Sequence, residues 1–145
     1  SRQQQGCVCW VFPQPVRPLK MMSEFEALSW TESTLRDFSL EQGIVTFQMF
    51  DLVSSSPRNY ELVNVSIQGI KAFELHLSPQ TNGVFQPTEC PIKIGELSES
   101  CQVFEGSMKS STLSKANADW FWVTGLFHAD QVSISRSGTF YAKPG

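Results

Sequence analysis

The chain has 145 residues, with eleven Lys and Arg against fourteen Asp and Glu for a formal charge of −3, and it is 41% apolar and 17% charged. That length suits a single domain with a sizeable core, and the low charge content argues against disorder. A weakly acidic chain without a Lys/Arg cluster has little to offer a phosphate backbone, and no apolar run reaches the ~18–20 residues of a membrane helix, so neither nucleic acid nor a membrane is an expected partner.

The first 22 residues read differently from the rest. They hold no acid, three basic residues (Arg2, Arg17, Lys20), a Gln run and three prolines (Pro13, Pro15, Pro18), which leaves residues 23–145 at −6. Two readings fit: an extended native arm packed through Val8, Trp10, Val11, Phe12 and Val16, or a non-native leader with the natural start at Met21 or Met22. The short run Cys7–Phe12, followed at once by prolines, does not resemble an export signal, and a cytoplasmic location is expected. Cys7-x-Cys9 lacks the second pair of a zinc site, and Cys90 and Cys101 read as free thiols that a hairpin could bring opposite each other.

Residues 23–145 read as one β-rich domain. Ser23-Glu24-Phe25-Glu26 matches a capping box, and Phe25, Leu28 and Trp30 make a short apolar stripe, so a helix of about two turns is expected there. From Phe38 the period becomes two. Phe38 and Leu40 alternate with polar neighbours, Glu41-Gln42-Gly43 turns the chain, and Val45, Phe47 and Met49 alternate within Ile44–Val53. Residues 54–59 read as a loop, Glu61–Ile67 and Lys71–Leu77 as strands separated by a bulge at Gly69, and 79–88 as a polar loop. Ile92–Gly95 and Cys101–Phe104 are short strands, and 106–118 is the least defined stretch, mobile or briefly helical near 113–117. Trp120–Phe127 is a strongly apolar strand, Val132 and Ile134 continue the alternation, and Ser137-Gly138 reads as a turn. The expected fold is all-β or β-rich α+β: a mostly antiparallel sandwich or partly open barrel with one or two short helices.

Candidate functional residues are few. Glu74 and His76 share one strand face, where they could relay a proton or, with a third ligand, hold a metal; the plainer alternative is an ordinary surface pair. His128 stands beside Asp130, which could orient its imidazole, or both could belong to a hydrogen-bonded loop. Trp120 and Trp122 point the same way from their strand. They form either a stacking platform or, as the continuing apolar residues Leu126 and Phe127 favour, one side of a two-sided core with Trp30 and Asp119 at its rim. No nucleophile elbow or phosphate-binding glycine loop is present, and no metal or cofactor is expected.

Leu28-Ser29-Trp30-Thr31-Glu32-Ser33, then Leu35, Phe38, Leu40, a glycine turn, a strand ending in Asp51, and Val65 to Phe73 together resemble small bacterial β proteins. Some of these are immunity proteins that neutralise toxins. The resemblance covers residues 28–77. Glu32 stands where an aspartate is often found and Thr31 where a histidine sometimes is. The abrupt text before Met21 is similar to reading frames of mobile gene cassettes. Both resemblances imply a bacterial accessory protein; the −6 body, the missing catalytic motifs and the aromatic strand point to a non-enzymatic one that binds another protein. A second reading is a small-molecule binder or unusual enzyme with a pocket near His76 and His128, and a third is a structural homo-oligomer, most simply a dimer.

Overall fold

Short turns organise the chain into hairpins. The computed structural model describes residues 23–110 and 118–145, so the 1–22 leader, with Cys7 and Cys9, and the stretch expected to be helical at 113–117 lie outside the described residues. Seven strands form: β1 (Arg36–Glu41), β2 (Ile44–Ser55), β3 (Arg58–Thr81), β4 (Val84–Phe85), β5 (Glu89–Ile94), β6 (Gln102–Lys109) and β7 (Trp120–Tyr141). All belong to one antiparallel sheet in the order β1-β2-β3-β7-β6, with β4 and β5 on the distal half of β3. The expected antiparallel β fold is therefore what forms, as an open sheet. Residues 23–27 are helical, within the expected helix, and a 3-10 turn follows at Trp30–Glu32. Phe25, Leu28 and Trp30 are buried, as their spacing implies.

Gln42 and Gly43 both take positive φ (54° and 74°) between the paired Glu41 and Ile44, the backbone of a two-residue hairpin turn. Asn82-Gly83 does the same between Thr81 and Val84, so the expected 79–88 loop is instead the end of β3, a tight turn and β4. The expected 54–59 loop shrinks to Ser56-Pro57, because Ser55 already pairs with Arg58. The expected turn at Ser137-Gly138 is also overturned: β7 passes through it to Tyr141, with a register shift against Glu61 and Val63. The bulge expected at Gly69 forms just beyond it: pairing is regular across Gly69 (φ 66°), from Gln68↔Gln131 to Ile70↔Ala129, and β3 then advances from Ile70 to Ala72 while β7 moves only from Ala129 to His128.

The core shows that the sheet is strongly curled. Three strand spacings separate β2 from β6, roughly 14 Å on a flat sheet, yet the rings of Phe47 and Phe104 lie 4.7 Å apart. The segment before β1 completes the wrap: Leu35 N–H donates to Ser107 O (2.8 Å) and Ser107 N–H to Ser33 O (3.1 Å). Phe104, fully buried, is ringed by Trp30, Phe47, Phe73 and Phe127. Its ring occupies the space above Gly125, where a Cβ would come 2.1 Å from two ring carbons.

Charge closes one end of this interior. Asp51 and Glu61 face each other across β2 and β3, 6% and 7% exposed. Arg136 donates to both, at 3.0 Å to Asp51 Oδ2 and 2.8 Å to Glu61 Oε1. Ser29 donates its N–H and hydroxyl to Asp51, and Gly138 N–H reaches Glu61 Oε2. The hydrogen bond that Arg136 donates to Glu61, then that to Asp51, holds its guanidinium above the ordinary arginine value against its partial burial. A cation with a raised value contributes stability below its unfolded value and loses it only in strong alkali, so Arg136 stays charged in any ordinary buffer.

Two outcomes follow for stability, each read by urea denaturation. Gly125→Ala is expected to cost about 1–3 kcal/mol through overpacking, and Phe104→Leu combined with it less than the sum of the single changes, because the smaller side chain vacates the clash. Arg136→Met, which strands two nearly buried carboxylates, is expected to cost about 2–3 kcal/mol at neutral pH, less than for a fully buried pair since Arg136 is partly exposed. A cost within about 0.5 kcal/mol of zero, as for an ordinary surface substitution, would contradict the clamp.

Candidate functional site

Strand alternation assigns Phe121, Val123 and Phe127 to the interior, together with Gly125, and turns Trp120, Trp122, Thr124 and Leu126 to the outer face, where each is half-buried. Among the described residues the two-sided core expected for the indoles does not form. The aromatic cluster around Phe104 fills the inner face, and no second layer of described residues covers the outer one. Trp30 does not rim the indoles either. It lies in the interior, 4.9 Å from Phe25 by ring centroids, and its Nε1–H donates to Phe25 O at 2.9 Å.

On the outer face the strands set the side chains in rows. Gln80, Trp120 and Lys109 are paired in one row, Ser78, Trp122 and Ser107 in the next, then His76, Thr124 and Glu105, and last Glu74, Leu126 and Val103. The Asn82-Gly83 turn adds Phe85 opposite Gln80, 62% exposed. Gln80, Phe85, Ser107, Phe121 and the two indoles line a depression of about 300 Å³. Lys109 Nζ lies 5.6 Å from the Trp120 ring centre, a cation–π distance. The result is an aromatic groove with a neutral polar floor and a cation at one end, with Glu105 in the row after Trp122 and Glu74 in the row beyond that. Phe85, Gln80 and Ser107 are missed by sequence reasoning. The Asn-Gly pair was the available signal for Phe85; Ser107 is placed only by register across β7.

The two histidines stay apart. His76 Nε2 lies 2.9 Å from Glu74 Oε1, the pairing expected of neighbours on one strand face. His128 does not meet Asp130: its Nε2 accepts from Ser98 N–H at 3.0 Å and lies 2.8 Å from Ser98 Oγ, while Asp130 pairs with Lys71 at 3.4 Å. His76 pairs with Thr124, four residues from His128 along β7, roughly 13 Å of strand. A single pocket built on both imidazoles is thus not formed. Cys90 and Cys101 are free thiols and do not face each other; Cys90 Sγ contacts Ile92 O at 3.3 Å. A larger depression of about 380 Å³ lies beside Thr46, Gln48, Asn64, Ser66, Ser133 and Ser135. Its amides are engaged in a ladder from Arg36 through Gln48 to Asn64, and it holds no exposed aromatic anchor.

No helix among the described residues is long and apolar enough to cross a membrane. Compared with family models, curated proteins and solved structures, the chain gives no match, so the outer-face geometry itself carries the functional reading.

Proposed function

We propose that this chain is a non-enzymatic, cytoplasmic accessory protein that binds another protein through the outer-face groove, in the manner of an immunity factor. The observation carrying this reading is the position of Trp120, Trp122 and Phe85: three large aromatic side chains on the solvent side of a sheet whose interior is filled without them. Trp is among the residues most enriched in binding hot spots, and half-buried indoles held by strand pairing lose little entropy when a partner covers them. Glu105, one row from Trp122, and Glu74, one row further, on a body of net charge −6, favour a partner segment that is apolar at its centre and basic at its flank. The bacterial, cassette-borne origin belongs to the same proposal.

A second reading, a homodimer, has its own support. Beyond Phe127, β7 keeps β3 on one side and no strand on the other among the described residues, and Phe140 near its end is 51% exposed. Such an edge accepts a further strand.

Site-specific photo-crosslinking in cells that naturally carry the chain separates these readings. A crosslinker at Phe85 is expected to trap one discrete heterologous protein, and the same group at Asn64, on the far half of the outer face, is not. The purified partner should bind Trp122→Ala at least about tenfold more weakly, a loss of ~1.4 kcal/mol. Trp122→Ala should still fold, whereas Phe121→Ala, a core truncation, should cost about 3–5 kcal/mol. Equal trapping from both positions, or none, would sink the groove reading. Adducts containing only this chain, with a dimer that Phe140→Lys dissociates in sedimentation, would establish the second.

A further inference from the structure

We propose that Glu74, His76 and Cys90 form a binding site for a borderline-soft divalent cation, with Zn2+ the best match. One ligand atom from each of the three lies within 4.8 Å of the other two. The site shares Glu74 with the acidic flank invoked for the groove, but it uses none of the residues that line the depression around the indoles, and its test reads metal uptake rather than partner binding.

The geometry comes from a local irregularity. Glu74 and His76 are two apart on β3 and share its outer face. Regular pairing onward from Leu75↔Ile92 would place Cys90 opposite Leu77, on the inner side. Instead Leu77 pairs with Glu89, so β5 spends three residues where β3 spends two. That bulge frees Cys90 to lie beside His76, and Pro91, which has no N–H to give to a ladder, sits within it. The third ligand that the Glu74–His76 pair needs is therefore Cys90 from the neighbouring strand.

The donor set of one carboxylate oxygen, one imidazole nitrogen and one sulfur is typical of zinc rather than of magnesium or calcium, which take oxygen alone. Zinc bond lengths of about 2.0–2.3 Å put tetrahedral ligands roughly 3.3–3.8 Å apart. His76 Nε2 and Glu74 Oε1, at 2.9 Å, are already closer than that, and the Cys90 side chain is exposed and able to swing inward. Binding breaks the Cys90 contact to Ile92 O and the His76 Nε2–Glu74 Oε1 hydrogen bond; the imidazole takes the tautomer protonated at Nδ1, so that Nε2 can ligate, and the thiol proton goes to solvent, leaving thiolate and carboxylate to neutralise the dication, with no electron transferred. Lys93 Nζ, 3.9 Å from Glu74 Oε2 and 67% exposed, can withdraw into water. Three protein ligands leave the fourth tetrahedral position open.

The test is titration of the full, reduced chain with Co2+ followed by absorbance, and with Zn2+ by calorimetry. One equivalent of Co2+ is expected to give a thiolate-to-cobalt charge-transfer band that Zn2+ displaces. Cys90→Ser should abolish the band with the metal-free thermal midpoint unchanged. Losing a direct ligand through Glu74→Gln or His76→Ala should weaken Zn2+ binding by no less than the roughly 10–100-fold that a supporting group is worth. Affinity should fall as pH falls, because the metal and protons compete for the ligands. The combined Cys7→Ser and Cys9→Ser change, and Cys101→Ser, should leave the band intact. A band that survives Cys90→Ser, a band lost with Cys7 and Cys9, or no uptake of either ion overturns the proposal.

Discussion

The packing of Phe104 against Gly125 is the constraint on which the rest of the structure depends. A strand residue with any side chain would hold β6 away from the middle of β7, since its Cβ would lie 2.1 Å from the ring. With glycine there, Phe104 sinks to full burial and gathers aromatic neighbours from the 3-10 turn, β2, β3 and β7. Curling the sheet around that ring brings β2 and β6 into contact and lets residues 33–35 cross to Ser107. Aromatic pairs contribute beyond their buried area, so a cluster of this kind also specifies one arrangement of the strands.

The curl leaves an end where the interior meets water. Asp51 and Glu61 occupy it, on the same strand faces as Met49 and Val63, and would be costly there alone. Arg136 comes from β7 just before the irregular stretch near Ser137-Gly138, and through the clamp that stretch is tied to both β2 and β3. Ser29 links the same acid to the helical segment, donating its hydroxyl to Asp51 while that oxygen accepts from Leu52 N–H at 2.6 Å. Arg58 ties the neighbouring turn down by bonding Glu32 and Tyr60, each at 2.6 Å. Glu32, singled out by its place after Trp30, is thus an anchor between the 3-10 turn and the β2–β3 hairpin.

A full inner face releases the outer one for recognition. The indoles of Trp120 and Trp122 are not needed to complete the core, and the same strand pairing that buries Phe121 and Val123 holds them in adjacent rows. Along the same face, the β5 bulge gathers Glu74, His76 and Cys90. Both candidate sites are therefore consequences of strand register: one of regular pairing between β3, β7 and β6, the other of its interruption between β3 and β5.

Much of the local structure was legible before any coordinates. Period-two patterning identified the strand faces from Phe38 to Met49, from Val63 to Ile67 and from Phe73 to Leu77, because one face of each is apolar. Gln42-Gly43 and Gly69 declared their turn and bulge through the backbone freedom of glycine, and Glu74 and His76 declared themselves a pair by lying two apart on one strand. Where turn residues do not turn the chain, as at Ser137-Gly138, composition misled, since a bulge and a turn draw on the same residues. What tertiary structure alone decided was which faces oppose each other. The alternation around Trp120 allows either a buried or a half-exposed indole, and only the curl about Phe104 selects the second. Cys90 reaches His76, His128 reaches Ser98 and Arg136 reaches Asp51 across 85 residues for the same reason: a sequence records which side chains share a strand face, whereas inter-strand register is set by packing that the whole chain determines together.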